Sequence, residues 1–185
     1  MNDQIKRHKD NKPTECDAML KRNKINITGP KPSELAIQRN DAGVPVIHAK
    51  SFKDALWGSG YAHAIDRSTQ LLMMRILGQG RLCELLADTD ESFQIDQFFR
   101  KANWASSLDE EVTKLDGASL AVCQAYCDGV NAGLAHKKIS ALKLLGYKPE
   151  PWRIQDSILV SRMASYLTLA QSQAEVERLF IELVR

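Results

Sequence analysis

Two interleaved pairs of small residues, Gly58 with Ala62 and Gly60 with Ala64, lie in a stretch that otherwise reads as helix from Ser51 to about Leu77. Positions four apart share a helix face. A face of hydrogens and methyl groups lets a second backbone approach closely. Each glycine costs about 1 kcal/mol relative to alanine inside a helix, so a tightly packed partner element must offset that cost. Ser51 is the expected N-cap, with Asp54 completing an imperfect capping box. Gln70, Leu71, Met74 and Leu77 continue the stripe, and Gly78-Gln79-Gly80 ends it.

The rest of the chain is read around that helix. Residues 1–33 form a polar lead-in that ends at Gly29-Pro30-Lys31-Pro32, where prolines oppose regular structure. Ser33 to Ala49 reads as a hairpin or a pair of short strands, with Leu35 and Ile37, then Val44 and Val46, alternating about the turn Asn40-Asp41-Ala42-Gly43. Pro45 lacks a backbone donor, so its strand belongs at an edge. Short helices are expected from Arg81 to Ala87 and from Ile95 to Trp104, and a long one from Ser107 to a stop at Gly133 with an irregularity at Gly117. Lys148-Pro149-Glu150-Pro151-Trp152 is expected to be extended. Gln155-Asp156 then opens a last helical region. Its final stretch carries Leu179, Phe180, Leu183 and Val184 without a capping signal, which implies a processed chain or docking on a second subunit.

Several function classes lose support on composition. A net charge of +2 gives no broad case for nucleic acid. The first 24 residues are locally basic but read better as a solvated lead-in than as a binding tail. No apolar run reaches membrane-spanning length, and the start lacks the apolar core of a signal peptide. Cys16, Cys83, Cys123 and Cys127 form no CxxC pair, so zinc is not expected. Cys123 and Cys127 share a helix face and read as small buried residues rather than a disulfide.

Direct chemical signals are weak. Gly58-Ser59-Gly60 lacks the G-x-S-x-G spacing of a nucleophile elbow, and there is no phosphate loop. His63 and Asp66 could share a metal only with a third ligand that is not evident, so a hydrogen bond at the helix surface or between helices is favoured. Asp66 and Arg67 suit a buried or half-buried ion pair that anchors packing, with Arg75, Arg81, Glu84 and Arg100 as candidates for the same network.

Longer phrases carry more. Arg39-Asn40 precedes Gly43-Val44-Pro45-Val46-Ile47, and Gly58 to Gln70 reads Gly-x-Gly-Tyr-x-x-Ala-x-Asp-Arg-x-x-Gln. Gly80-Arg81-Leu82-x-Glu84, Asp128-Gly129-Val130-Asn131-Ala132-Gly133 and Leu145 to Asp156 follow in order. Together these resemble the small (α) subunit of the penicillin acylase family, over about residues 35–185.

The resemblance implies an α+β fold. The chain would be a mostly helical small subunit of an αββα four-layer N-terminal-nucleophile hydrolase, with 1–33 as lead-in and 34–185 as the acylase α-subunit region. It implies a precursor that cuts itself and frees a serine at the start of a large β subunit. That serine would attack a linear amide with its own α-amino group as base, so no catalytic residue is expected on this chain. The small subunit of relatives supplies a pocket-walling helix, which places Met163, Tyr166 and Leu167 as substrate-binding residues. Counting from the acidic side instead favours Ser165, Thr168 and Leu169. Penicillin G enzymes carry Arg and Phe at the two pocket positions, and neither occurs between Met163 and Leu169. An apolar Met, Tyr and Leu set suits an aliphatic acyl group, as in N-acyl homoserine lactone acylases, with β-lactam side-chain amides open.

Calcium, shared with the β subunit, is the implied cofactor. Glu175 is its candidate ligand and Glu177 the rival, and no organic cofactor is implied. Export to the periplasm follows from the resemblance, while the absence of a leader leaves the cytoplasm open. The alternative function is a non-enzymatic helical interaction module that docks through its C-terminal apolar helix.

Overall fold

The computed structural model describes residues 25–27, 29–136, 142, 146–166, 168 and 171–184. Two short strands, β1 (Ala36–Arg39) and β2 (Pro45–His48), pair antiparallel with Ile37 opposite Ile47 and Arg39 opposite Pro45. The turn between them is closed by the Asn40 side chain, which accepts from Val44 N at 2.8 Å. The expected hairpin is therefore present, and Pro45 sits at the strand start where no donor is needed. At the end of the lead-in, Ile25 N donates to the Ile37 carbonyl at 2.9 Å. Ile25 and Ile27 pack against the cluster of Leu35, Ile37, Trp57 and Tyr61.

Helix α1 runs from Phe52 to Gly78, capped by Ser51, whose hydroxyl accepts from Asp54 N at 3.1 Å. Its backbone leaves helical geometry at Arg67 (φ −126, ψ 25), so it is two helical lengths joined at a kink. The short helix α2 (Leu82–Leu85) and helix α3 (Asp90–Ala102) follow, then α4 (Leu108–Thr113) and α5 (Gly117–His136). Helix α6 spans Ile154–Ser165, and α7 spans Gln171–Val184.

The small face of α1 receives α5. A methyl group at Gly60 would run into the Tyr126 carbonyl oxygen, and one at Gly129 into the Trp57 carbonyl oxygen. The two backbones meet at these glycines, as the small-residue pattern requires. Contacts advance in step along both helices, from Trp57 and Tyr61 at Gly129 to Tyr61 and Ala64 at Gly133, so the helices run parallel. Gly133 is thus buried inside α5 and is not its terminator. Its missing side chain serves the seam, and the helix runs on to His136.

Two further boundaries differ from the sequence expectation. The long helix from Ser107 is two helices, because Asp116 turns its side chain to accept from Ser119 N at 2.8 Å and starts a new one. Helix α3 begins at Asp90 rather than Ile95, because Thr89 caps it by accepting from Ser92 N at 3.2 Å. Apolar spacing is blind to a polar first turn carrying Asp90 and Glu91. Residues 147–153 are non-helical, as the two prolines demand. Cys83, Cys123 and Cys127 are free thiols. Cys127 is fully buried, and burial pushes its thiol up to about 11.

Candidate functional site

The phrases that stood out in the sequence turn out to hold one another. Arg39 of the hairpin forms a two-pronged pair with Asp66 of α1, one prong at 3.2 Å, and the same guanidinium donates to the Gly43 carbonyl at 2.7 Å. Asp66 is therefore partnered across elements and not with its neighbour Arg67, which is exposed at the kink. His63 Nδ1 lies 3.0 Å from the Tyr126 hydroxyl on α5, the expected bond between helices. Desolvation raises the Tyr126 phenol above its ordinary pKa.

A second centre is buried. Arg75 of α1 donates from Nη1 to the carbonyls of Glu150 (3.2 Å) and Pro151 (3.4 Å) and to Asp156 Oδ2 (3.3 Å). Its Nη2 donates to the Tyr147 hydroxyl at 2.8 Å, and its guanidinium lies 5.4 Å over the Trp152 ring. The Arg75 and Asp156 side chains are each 3% exposed, so both charges depend on this hydrogen bonding. Asp156 also accepts from Arg153 N at 2.8 Å and so starts α6. Asn131 of α5 clamps the Trp152 backbone, accepting from its N at 2.7 Å and donating to its carbonyl at 3.0 Å.

The third centre is the corner after α1. Asp96 accepts from Leu82 N (2.7 Å) and Cys83 N (2.9 Å), and Arg100 Nε donates to the Gly80 carbonyl at 2.8 Å. Arg81 pairs with Glu84 at 2.6 Å and with Glu150 at 3.6 Å. That hydrogen bond holds the Glu84 carboxyl below its usual range. The single charged network expected from Asp66 to Arg100 is thus divided: Asp66 is held apart by Arg39 of the hairpin, whereas the Arg75 and Arg81 centres are joined, since Arg81 donates to Gln79 Oε1 at 3.4 Å and Gln79 Nε2 donates to Asp156 Oδ1 at 3.4 Å.

The two described pocket candidates, Met163 and Tyr166, lie at one helix end but not on one surface. Met163 on α6 is 3% exposed and fills the space that Gly78 leaves open. Tyr166, at the C-terminal cap of the same helix, is 43% exposed. Its ring lies 5.0 Å from Trp104 and 6.1 Å from Phe98. One turn earlier, Arg162 donates to the Trp104 carbonyl, pairs with Glu111 and reaches the Ser107 hydroxyl at 3.2 Å. The sequence reading missed this aromatic and ionic tie to α3, α4 and the segment between them, whose signal was Arg162 and Tyr166 spaced four apart. Of the rival set, Ser165 and Thr168 bond back to the helix carbonyls of Ser161 (2.9 Å) and Ala164 (2.8 Å). Leu167 and Leu169 lie outside the described residues.

Glu175 and Glu177 are exposed on α7. Among the described residues no three His, Cys, Asp or Glu side chains converge as a metal site. A single exposed carboxylate does not satisfy the six to eight oxygens that calcium takes, so the described residues do not hold that ion by themselves. Helix α7 also exposes its apolar residues: Val176, Leu179, Phe180, Ile181 and Leu183 are 55–80% exposed. Two clefts were not anticipated. One of 530 Å³ lies between α4, α5 and the start of α6, lined by Val112, Leu120, Trp152 and Ile154. The other, of 320 Å³, is lined by Leu71, Cys123, Tyr126 and Val160. Neither is lined by Met163, Tyr166 or Glu175. No helix among the described residues is long and apolar enough to cross a membrane.

This arrangement, mostly helical with one small hairpin, is the fold of an acylase chain. It superposes on a thermostable penicillin G acylase from Alcaligenes faecalis with a TM-score of 0.65, 22% identity and coverage of 82% of this chain and 84% of that one. The chain belongs to the penicillin amidase family, whose sequence model matches residues 34–184. It is 35% identical over 148 residues to the acyl-homoserine lactone acylase QuiP of Pseudomonas putida, covering 78% of this chain. It is 29% identical over 156 residues, 80% of this chain, to a penicillin G acylase of Escherichia coli. The chain spans 18% of the length of each of these two curated relatives. The α+β class expected from the resemblance is therefore the observed one, and these relatives are amide hydrolases by name.

Proposed function

We propose that this chain is the small-subunit part of an amidohydrolase made from one precursor. Its large partner would carry an N-terminal serine that hydrolyses a linear amide. The observation that carries the reading is the apolar face of α7, which lies open on a chain spanning 18% of its relatives' length. Exposed apolar residues gathered on one helix mark an interaction surface.

The chemistry follows from the nucleophile. The serine oxygen adds to the amide carbonyl carbon while its proton passes to the serine's own α-amino group. Backbone donors on the partner stabilise the oxyanion. The C–N bond breaks as the proton reaches the leaving amine, leaving an acyl ester. Water then attacks the ester, releases the acid and restores the serine. This chain contributes binding: Tyr166 and Leu167 wall the acyl group, while Met163 is packed in the core against Gly78, and Glu175 offers one carboxylate to a calcium ion shared with the partner. The substrate is an N-acyl homoserine lactone, which would make the reaction quorum quenching, or a β-lactam side-chain amide. The family resemblance supports the periplasm as the compartment, with the cytoplasm as the alternative. The identity to acyl-homoserine lactone acylases and the apolar Tyr and Leu pair support the aliphatic acyl group.

Intact mass under denaturing conditions with N-terminal sequencing tests the assembly. The expected result is a second, larger chain beginning with Ser, and a lone chain of this size favours the helical interaction module instead. Kinetics on the assembled enzyme with graded acyl chains test the substrate, and a clear preference for phenylacetyl amides rejects the aliphatic reading.

A further inference from the structure

We propose that Trp104 and Phe98 are positioning residues that select the acyl group through Tyr166. The inference rests on the reading of Tyr166 as an acyl-pocket wall, and it deepens that reading by naming what holds the wall. The Tyr166 ring has a packed side and an open side. Trp104 lies behind it at 5.0 Å and 54°, and Phe98 at 6.1 Å and 46°. Both separations fall in the range of tilted aromatic pairs. The backing is itself braced, because Phe98 meets Phe99 at 5.2 Å and Phe99 meets Trp104 at 5.8 Å. Arg162, one helical turn before Tyr166, holds the Trp104 carbonyl and the Glu111 carboxylate. The helix end and the aromatic backing are therefore tied together, although they come from segments some 60 residues apart.

A wall held this way discriminates by shape. A fixed ring edge admits a flexible aliphatic chain up to a set length and resists a longer one, whereas an unbacked tyrosine swings aside. One methylene in a fixed apolar pocket changes kcat/KM by roughly tenfold or more.

The test uses the assembled two-chain enzyme and the profile of kcat/KM against acyl length. Trp104→Leu is expected to flatten the discrimination between the best chain and one two carbons longer by about tenfold. Phe98→Leu should do the same to a smaller degree, and Trp104→Phe should restore the profile. Tyr166→Ala should flatten it as Trp104→Leu does, and the double variant should add little further. Phe93→Ala, an exposed ring on the same helix as Phe98, should leave the profile alone. A profile moved by Tyr166→Ala and untouched by Trp104→Leu overturns this inference and spares the pocket assignment. A profile moved by neither overturns the pocket assignment itself. Lower yield of assembled enzyme with an unchanged profile would make the cluster a packing surface only, which also overturns the inference.

Discussion

The seam between α1 and α5 and the outer face of α7 are both built of apolar and small residues, yet they stand in opposite conditions. In the seam, Tyr61, Ala64 and Val130 are fully buried, and glycines on each side bring carbonyl oxygens of the other helix into contact. On α7, Leu183 is 80% and Phe180 67% exposed. The first region is complete within the chain. The second stands open among the described residues. Apolar content alone therefore does not tell a core from a docking face. What separates them is a complementary surface, here the paired glycines, which α7 lacks among the described residues.

Three experiments would break or sharpen this contrast. The largest effect is expected at the polar lock beside the seam. Asp156→Ala leaves the Arg75 guanidinium buried without its carboxylate and should cost about 3–5 kcal/mol, read as a drop in thermal midpoint of the assembled protein or as failure to accumulate. A loss under about 1 kcal/mol would mean that the carbonyls of Glu150 and Pro151 suffice. Next comes Gly129→Ala, which puts a methyl group against the Trp57 carbonyl and should cost about 1–3 kcal/mol. A fully stable Gly129→Ala protein would show that the helices can separate freely. The smallest effect on the fold is expected from Phe180→Ser, within about 0.5 kcal/mol for an exposed position. The same change should weaken association of the two proposed chains, measured as the dissociation constant of the purified pair. If instead it unfolds this chain, the contrast between the regions fails.

Thiol chemistry adds a check on burial. The folded Cys127 thiol titrates near 11, above its ordinary 9.0, so the folded state favours the neutral form. Its contribution to stability is present below about pH 9 and is lost as pH rises toward 11. Alkylation followed by mass spectrometry at pH 8 should leave Cys127 unmodified in the native protein and modified after denaturation. Rapid native labelling would contradict its placement against Ser157, 4.0 Å away.

Much of the fold was legible because it depends on local rules. The Gly58 to Ala64 pattern called for a close partner, and the hairpin turn and the Pro149-Glu150-Pro151 break followed from backbone chemistry. Gly133 misled because one residue type both ends helices and lets them touch, and only the partner helix decides which. Asp66 likewise has Arg67 beside it in sequence and Arg39 beside it in space. The candidate site was less legible. Tyr166 could be named from its place in a motif, but its backing by Trp104 and Phe98 joins segments whose spacing carries no signal.

The parallel seam also sets an order in time. A parallel pair cannot close through a short turn, so α1 must wait for the whole excursion through α2, α3 and α4 before α5 arrives. Arg75 waits longer still, since Asp156 lies 81 residues further on. At a synthesis rate of 5–20 residues per second that gap is roughly 4–16 s. During it, the glycine face of α1 and a bare guanidinium stand open on the growing chain. The contacts that close the seam and bury Arg75 are therefore among the last to form, and the nascent chain exposes both surfaces until then.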